Sequence, residues 1–457
     1  MINKTNGYHP LWFLLLSVYF FIINIFTDFS PELYYRFVVL LTNIINLFSM
    51  FILYRYFSIS NRINSGKMFL LCLPLFLTLV AIRDYGMETH LTCLLILIYI
   101  YLKSIEIDTG KNLTNFKCLI LCLLFLTRID FLFTVIPVMF AADYFLTAKL
   151  NRKELFIKIF VTMFTVALIY FLSNYYFFGN FLTITSKIKS SFPEIIFLKN
   201  FYDLFAPGTF TNQFLKSFFV LMTVIIFTVC ILITGFRRKL NKNDFFLYVI
   251  CISSLLFIIF NLMFNWFTLK EWYVAFPSFV CSILLVRMLM FFPGTFYLFL
   301  TAFTSILIFY FVVTRVNNPK WDSMYYYAVE LKKNTNENDR IFMIDLSGIV
   351  GYFSERKIIN GDGLVNSFEY WKYRDSDSLK KYFEKENINM YSSYSTSKGN
   401  HEMKDSAGYL IDKCYSNKFG GYHFTFPKED LILKVPYYYF HAVNSDTGFW
   451  YLFKLNK

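Results

Sequence analysis

What most constrains this sequence is a series of apolar runs, separated by short charged breaks, over roughly its first 315 residues. A helix that crosses a bilayer needs about 20 apolar residues, with a range of about 17–25. Candidate runs fall at 33–54, 68–82, 87–102, 117–127, 131–146, 155–177, 215–235, 245–265, 272–291 and 294–314. Two of them, 68–82 and 117–127, are short, and each ends at a charged break, Arg83-Asp84 and Arg128-Ile129-Asp130. Short members of such a series that border charge are expected to stop at a water-filled cavity. Composition agrees, with 56% hydrophobic and only 16% charged residues, where a soluble domain carries about 25% charged. The sequence therefore predicts an α-helical polytopic membrane protein of about 10–11 membrane helices over residues 1–315. Residues 316–457 are expected to form a water-exposed α/β domain.

Ten crossings place alternate loops on opposite sides. One side collects Arg55, Arg62, Lys67, Lys103, Lys111, Lys117, Lys149, Arg152, Lys153, Lys158, Arg237, Arg238, Lys239 and Lys242. The other holds half as many: Arg83, Arg128, Lys187, Lys189, Lys199, Lys216 and Lys270. The positive-inside rule puts the richer side in the cytoplasm. The breaks at 83–86 and 128–130, the loop 178–214, the turn 265–271 and everything after 315 then face outward. The formal charge of +13 is explained by these loop cations, and nucleic-acid binding is not expected. Residues 11–27 fit either an eleventh span or a helix lying on the outer surface. No small-residue cleavage site follows them, so no cleavable signal peptide is expected.

Seven of the eight cysteines sit in apolar runs, and the helix-spaced Cys118 and Cys122 have no His nearby, so neither a disulfide framework nor a zinc site is signalled. Beyond residue 315, Ile341–Leu346 reads as a buried strand, Gly348 to Gly351 as a turn, Lys357–Asn360 as a strand and Asp377–Asn387 as a helix. Tyr422–Phe426, Leu431–Val435 and Phe449–Leu455 alternate like strands of a small mixed sheet. Asp345-Leu346-Ser347-Gly348 lacks the glycine spacing of a nucleotide fingerprint and reads as a tight turn.

Four outward constellations carry chemistry. Arg83-Asp84-Tyr85-Gly86-Met87-Glu88-Thr89-His90 places four ionisable residues at a helix junction, where each costs at least about 2.5 kcal/mol unless paired or hydrated. Glu88 and His90 are types that handle a proton or a divalent metal ion; a paired Arg83 and Asp84 is the plainer reading. Thr127-Arg128-Ile129-Asp130 sets a guanidinium beside a carboxylate, suited to a lipid-linked phosphate or to a structural ion pair. In the loop Phe178–Ser190, Lys187 and Lys189 would face the same way if the chain were extended, as an anionic headgroup requires. Asn265-Trp266 through Lys270-Glu271-Trp272-Tyr273 is an outward aromatic turn, either an interfacial belt or a surface on which a sugar stacks.

Asn6-Gly7-Tyr8-His9-Pro10-Leu11-Trp12, Gly86-Met87-Glu88-Thr89, Thr127-Arg128-Ile129-Asp130, the Phe178–Ser190 loop, Trp272-Tyr273 and Asn360-Gly361-Asp362-Gly363-Leu364-Val365-Asn366 follow one another in this order. In that order they resemble a family of polytopic bacterial glycosyltransferases of GT-C architecture. The family is similar to mycobacterial arabinofuranosyltransferases and, more distantly, to protein O-mannosyltransferases and the lipid A aminoarabinose transferase. The resemblance implies a polyprenyl-phosphate-linked sugar donor and attack by an acceptor hydroxyl, on an envelope glycan, lipid or protein, at the extracytoplasmic face. It also implies that residues 11–27 form a juxtamembrane helix. Family members carry a first membrane helix and an outer loop opening with an acidic pair taken as the catalytic base. The match here begins beyond that pair, so the chain as given is expected to lack both; Thr183 also stands where the family has Pro.

The expected roles follow. Asp84 and Glu88 would serve catalysis, with Arg83 and His90 helping to organise the acceptor or an ion. Arg128, with Asp130 beside it, Lys187 and Lys189 would bind phosphate, and Trp272 and Tyr273 would line the sugar site. The alternatives are a catalytically inactive truncated homologue or partner subunit, and a transporter of lipid-linked sugars. A transporter should show internal repeats with helices broken at mid-membrane, and the sequence has no such repeat.

Overall fold

The computed structural model describes residues 5–25, 29–60, 72, 87–147, 149–205, 241–266, 271–289, 319–375, 378–395, 401–406, 408–416, 420–441 and 444–455. The expected spans at 68–82 (Cys72 apart), 215–235 and 294–314 lie outside them, as do Arg83 and Asp84. The described membrane part consists of α1 (Pro10–Asn24), α2 (Pro31–Ser60), α3 (Thr89–Thr109), α4 (Thr114–Thr127), α5 (Val135–Leu146), α6 (Lys149–Phe178), the short α7 (Ile184–Lys189) and α8 (Phe197–Phe205), α9 (Lys242–Phe264) and α10 (Glu271–Leu289). Four stretches among these residues are long and apolar enough to cross a membrane: Pro31–Ser58, Thr89–Thr109, Asn151–Phe178 and Lys242–Phe264.

Burial separates the helices by role. Ile96, Leu97 and Tyr99 of α3 and Leu247, Ile250 and Cys251 of α9 are buried in one shared core, with Leu121 and Phe125 of α4 and Phe279 and Val280 of α10. On α6, by contrast, Phe156, Phe160, Phe164, Leu168, Ile169 and Leu172 are exposed. A contiguous apolar stripe of that size needs a cover, and lipid provides it.

α1 starts with Pro10 in its first turn, where the missing N–H costs nothing. Its 15 residues span about 22 Å, short of the roughly 30 Å hydrocarbon core. The chain before and after it meets the C-terminal domain: Gly7 lies against the Leu364 carbonyl, and the Tyr352 hydroxyl donates to the Pro31 carbonyl at 2.9 Å.

α3 and α4 are joined by a tight turn at Gly110, whose φ of +70° favours glycine. This end of the bundle hides a charged cluster. Lys103 and Lys117, with side chains 1% and 0% exposed, reach the Asp143 carboxylate at 2.5 and 2.7 Å, and Lys117 also pairs with Glu106 at 2.5 Å. Tyr99 donates its hydroxyl to Asp143 Oδ2 at 2.9 Å. Two lysines that the sequence places among solvated loop cations are therefore packed inside. A second buried pair, Arg287 with Asp244 at 2.8 Å, ties α10 to α9.

The C-terminal domain opens with α11 (Pro319–Lys333) and then builds β1 (Arg340–Met343), α12 (Ser347–Ser354), β2 (Lys357–Asn360), α13 (Phe368–Asp375), α14 (Leu379–Lys385), β3 (Met390–Ser395), β4 (His401–Ser406), β5 (Tyr409–Ser416), β6 (Gly420–Pro427), β7 (Leu431–His441) and β8 (Asn444–Lys454). A five-stranded mixed sheet has the order β2-β1-β3-β8-β7, and β4-β5-β6 form a separate antiparallel sheet. β1 pairs in parallel with β2 and β3 through helical crossovers, whereas β8 is antiparallel to β3 and β7. Side chains alternate as the pleat requires. Ile341, Met343, Trp450 and Leu452 face α11, with Tyr327 stacked on Trp450 at 4.7 Å. Phe342, Tyr391, Tyr451 and Phe453 face α13, α14 and the second sheet.

The expected strand at Lys357–Asn360 is present as drawn. The turn expected at Gly348 to Gly351 is instead the helix α12, because Val350 turns inward to pack on Met343 and Met324. Tyr422–Phe426 belongs to the smaller sheet rather than the mixed one.

Removing a shared acid should strand both buried lysines. Asp143→Ala is expected to cost about 3–5 kcal/mol, whereas Glu154→Ala, which breaks the half-exposed pair with Lys158, should cost at most about 1 kcal/mol. Thermal unfolding of the two variants in detergent checks the contrast.

Candidate functional site

At the end of the bundle that carries the C-terminal domain, helix polarity brings opposite charges together. Glu88 stands at the N-cap of α3, where the helix dipole favours an anion, and Arg128 at the C-cap of α4, where it favours a cation. Because α3 and α4 are antiparallel neighbours, these termini share one end. Arg128 Nη1 donates to Glu88 Oε1 at 3.2 Å. Its other edge forks onto Asp130, with Nε to Oδ1 at 3.2 Å and Nη2 to Oδ2 at 2.9 Å. Glu88 and Arg128 are 1% and 5% exposed.

Aromatic rings enclose the guanidinium. Its carbon stands 4.9 Å from the Tyr273 ring centre, 5.1 Å from Phe257 and 5.7 Å from Phe131. Such faces attract a cation and exclude water. Two more groups complete the cluster. Lys189 Nζ lies 5.9 Å from the centre of the Tyr273 ring, and His9 Nε2 lies 3.4 Å from Glu88 Oε1. Burial pushes the His9 imidazole below its ordinary range; Glu88 and Asp130 oppose that shift, and Arg128 and Lys189 add to it.

The loop bearing Lys187 and Lys189 is not extended, the condition under which both would face the same way. Thr183 Oγ1 accepts from the Ser186 N–H at 3.1 Å and caps the short helix α7. The two lysines therefore diverge: Lys189 points to Tyr273, while Lys187 Nζ lies 5.8 Å from the Trp371 ring of the C-terminal domain. The loop is anchored to the end of α9, where the Trp266 N–H donates to the Lys189 carbonyl at 2.7 Å and Ser190 bridges Asn265.

Residues 5–9 strap these parts together. Asn6 Oδ1 accepts from the Ile184 N–H at 2.9 Å, and its Nδ2 donates to Asn174 Oδ1 at 3.1 Å. A Cβ on Gly7 would sit 2.0 Å from the Leu364 carbonyl, so only glycine allows that approach. Thr185 donates to the same carbonyl at 2.9 Å, and Ile184 and Ile188 pack on Trp371. On the domain side Asp362 Oδ1 holds the Leu364 N–H at 2.7 Å; burial, then Asp345, pushes the Asp362 carboxyl up to about 6.

Of the residues singled out in the sequence, Glu88, Arg128, Asp130, Lys189 and Tyr273 meet here. His90 does not: it is fully buried, and its Nδ1 pairs with Asn46 of α2 at 2.8 Å. Trp272 packs partly buried against the bundle core beside Tyr273. The fit to a divalent metal is poor, because Asp130 and the Oε1 of Glu88 are turned onto Arg128. No group of three or more His, Cys, Asp and Glu among the described residues is arranged to hold a metal ion. His9 is the member that sequence reasoning missed; its signal was a His-Pro pair opening a helix within a quoted motif.

No protein-family model matches the chain, and no curated protein matches it in sequence. Solved structures do match in fold. The oligosaccharyltransferase of Archaeoglobus fulgidus, in a crystal structure with zinc and sulfate, aligns with a TM-score of 0.52 at 10% identity, covering 85% of this chain and 60% of that one. The oligosaccharyltransferase AglB of the same archaeon, in complex with an inhibitory peptide and a dolichol-phosphate, aligns with a TM-score of 0.51 at 9% identity, covering 85% and 61%. The chain thus spans about 60% of the length of the solved structures it matches. A membrane-embedded, GT-C-like helical bundle with a C-terminal sheet domain is the shared fold.

The strap is testable by crowding it. Gly7→Ala should drive residues 5–9 off the C-terminal domain, lower the thermal midpoint and open the Phe178–Ser190 loop to protease. Limited proteolysis beside Gly348→Ala, whose Cβ meets nothing within 4 Å, checks it.

Proposed function

We propose that this protein is a membrane glycosyltransferase that moves a sugar from a polyprenyl-phosphate donor to a hydroxyl of an envelope glycan, lipid or protein. The observation that carries this reading is the cluster of Glu88, Arg128, Asp130, His9 and Lys189 at one end of a GT-C-like bundle. It lies beneath a domain docked through Leu364 and Trp371. Two solved neighbours in fold are oligosaccharyltransferases, and one of them holds a dolichol-phosphate.

Glycosyl transfer passes through an oxocarbenium-like state, so the acceptor must lose a proton while the departing phosphate gathers charge. In this reading Lys189 and Lys187 meet the phosphate, and Tyr273 and Trp272 line the sugar. Glu88 organises proton removal from the acceptor. Arg128 already has three donor positions on carboxylates. Its main task is therefore to hold Glu88 and Asp130 in place, with its remaining donor capacity directed to the phosphate. Asp84 is read from the sequence as a further catalytic carboxylate and Arg83 as a residue that organises the acceptor, while His90, paired with Asn46, supports the start of α3. α1 is read as a juxtamembrane helix, and the face bearing the site as extracytoplasmic.

Losing a charged hydrogen bond to phosphate costs about 1.5–3 kcal/mol, or about 10–150-fold in affinity. Lys189→Ala should raise the KM for an undecaprenyl-phosphate-linked hexose by that factor. Arg128→Lys should lower kcat more than it raises KM, because the fork that fixes both carboxylates is lost. Initial rates against donor concentration check both, and an unchanged KM in Lys189→Ala removes Lys189 from the donor site.

Orientation has its own test. A phosphatase reporter fused after Lys457 should be active, and a cytoplasm-only fluorescent reporter dark, if the C-terminal domain lies outside.

A further inference from the structure

We propose that His9 is the group that takes the proton from the acceptor hydroxyl, with Glu88 behind it as the carboxylate that orients the imidazole and steadies its charged form. This rests on the glycosyltransferase reading and assigns the proton within it.

Three observations single out His9. Glu88, the carboxylate at the centre, is 1% exposed, with Oε1 shared between Arg128 at 3.2 Å and His9 at 3.4 Å. A carboxylate so enclosed meets a hydroxyl only through something in front of it. Asp130 has both oxygens on the Arg128 fork. The His9 side chain, 37% exposed, is more open than those of Glu88, Arg128 and Asp130, although its Nδ1 is itself enclosed. Its second nitrogen, Nδ1, has no hydrogen-bond partner. If Nε2–H donates to Glu88, Nδ1 carries the lone pair, and an enclosed nitrogen left unpaired is destabilising. A bound hydroxyl at that position removes the deficit.

The surroundings suit a base. The charged groups facing the imidazole are Glu88 from the start of α3, Arg128 and Asp130 from the end of α4 and Lys189 from α7. Burial and the two cations keep the ring neutral at neutral pH, the form that accepts a proton, while Glu88 offsets part of the cost once it is charged. His9 opens α1 with Pro10 behind it, and the contacts of Asn6 and Gly7 fix the chain just ahead. The step balances. The hydroxyl proton passes to the imidazole, its oxygen bonds to the anomeric carbon, and the bond from that carbon to the phosphate oxygen breaks. The phosphate leaves with the electron pair beside Lys189, and the imidazolium returns its proton to solvent.

The test uses the full chain in nanodiscs. Carbethoxylation of His9 by diethyl pyrocarbonate, followed by mass spectrometry from pH 5 to 9, should give a midpoint below about 6.5, the ordinary histidine value. Glu88→Gln should move that midpoint lower, since the carboxylate no longer favours the charged ring. A midpoint indifferent to Glu88→Gln overturns the coupling. Transfer from radiolabelled undecaprenyl-phosphate glucose to a membrane extract should fall about 10²–10⁴-fold in His9→Gln. The acid limb of the pH profile should vanish, and added imidazole should restore part of the rate in His9→Ala. Transfer that continues in His9→Gln with an unaltered pH profile overturns the role of His9 alone. No transfer by the wild type from any polyprenyl-phosphate hexose overturns the glycosyltransferase reading and this role with it.

Discussion

A charge inside a membrane bundle must be paired, and, besides the Arg287–Asp244 pair, two clusters among the described residues meet that demand. They lie at the two ends of α3: Glu88 with Arg128 and Asp130 at its start, and Lys103 with Lys117 and Asp143 towards its finish. Each cluster joins α3 to α4, and the second also recruits α5. Breaking either leaves a buried charge alone, which costs far more than the loss of one surface contact. The register of the three helices against each other is therefore fixed from both ends, with apolar packing of Ile96, Leu121 and Leu124 between.

The two clusters differ in what reaches them. At Asp143 every acceptor faces a group of the bundle itself, and the lysines are wholly enclosed. At Glu88 the bundle supplies only the Arg128 side; the rest comes from His9 on the N-terminal strap and, beside it, Lys189 on the outer loop. The strap and loop also touch the C-terminal domain, through Gly7, Thr185 and Trp371. A movement of that domain thus bears on His9 and Lys189 directly, while Arg128 and Glu88 stay fixed by their helix termini.

Much of this was legible in the residues, and the failures have physical causes. The apolar runs gave α2, α3, α6 and α9 because spanning length is a strong local signal. Arg128 and Asp130 were visible as charge where charge is expensive. Their partner in space was not, since Glu88 lies forty positions away in the chain and only helix packing brings it close. Lys103 and Lys117 looked like loop cations because Asp143 sits in a different apolar run. α7 was missed because a short helix held by the Thr183 cap leaves no periodicity to read. α12 was taken for a turn because its two glycines outweighed Val350, whose burial depends on a sheet not yet assembled. His9 escaped because one histidine carries no pattern; it becomes meaningful only beside an enclosed carboxylate.

The separation of the two clusters also bears on what kind of chemistry the bundle supports. A carrier of charged cargo needs polar or ionisable groups near mid-membrane, where each side can open to them in turn. Here the described ionisable side chains of the core gather at the two ends, and the middle of α3 presents Leu95, Ile96, Leu97 and Tyr99 to a packed apolar interior. Anionic cargo crossing that layer would find no partner among the described residues. Surface chemistry on a lipid-anchored substrate needs no such crossing, because the polyprenyl tail stays in the bilayer and only the phosphate and sugar reach the rim. The cations Lys187 and Lys189 sit on the loop rather than within the spans. Charge confined to the ends among the described residues, with a domain docked over one of them, supports the proposed transfer at the membrane surface rather than transport through it.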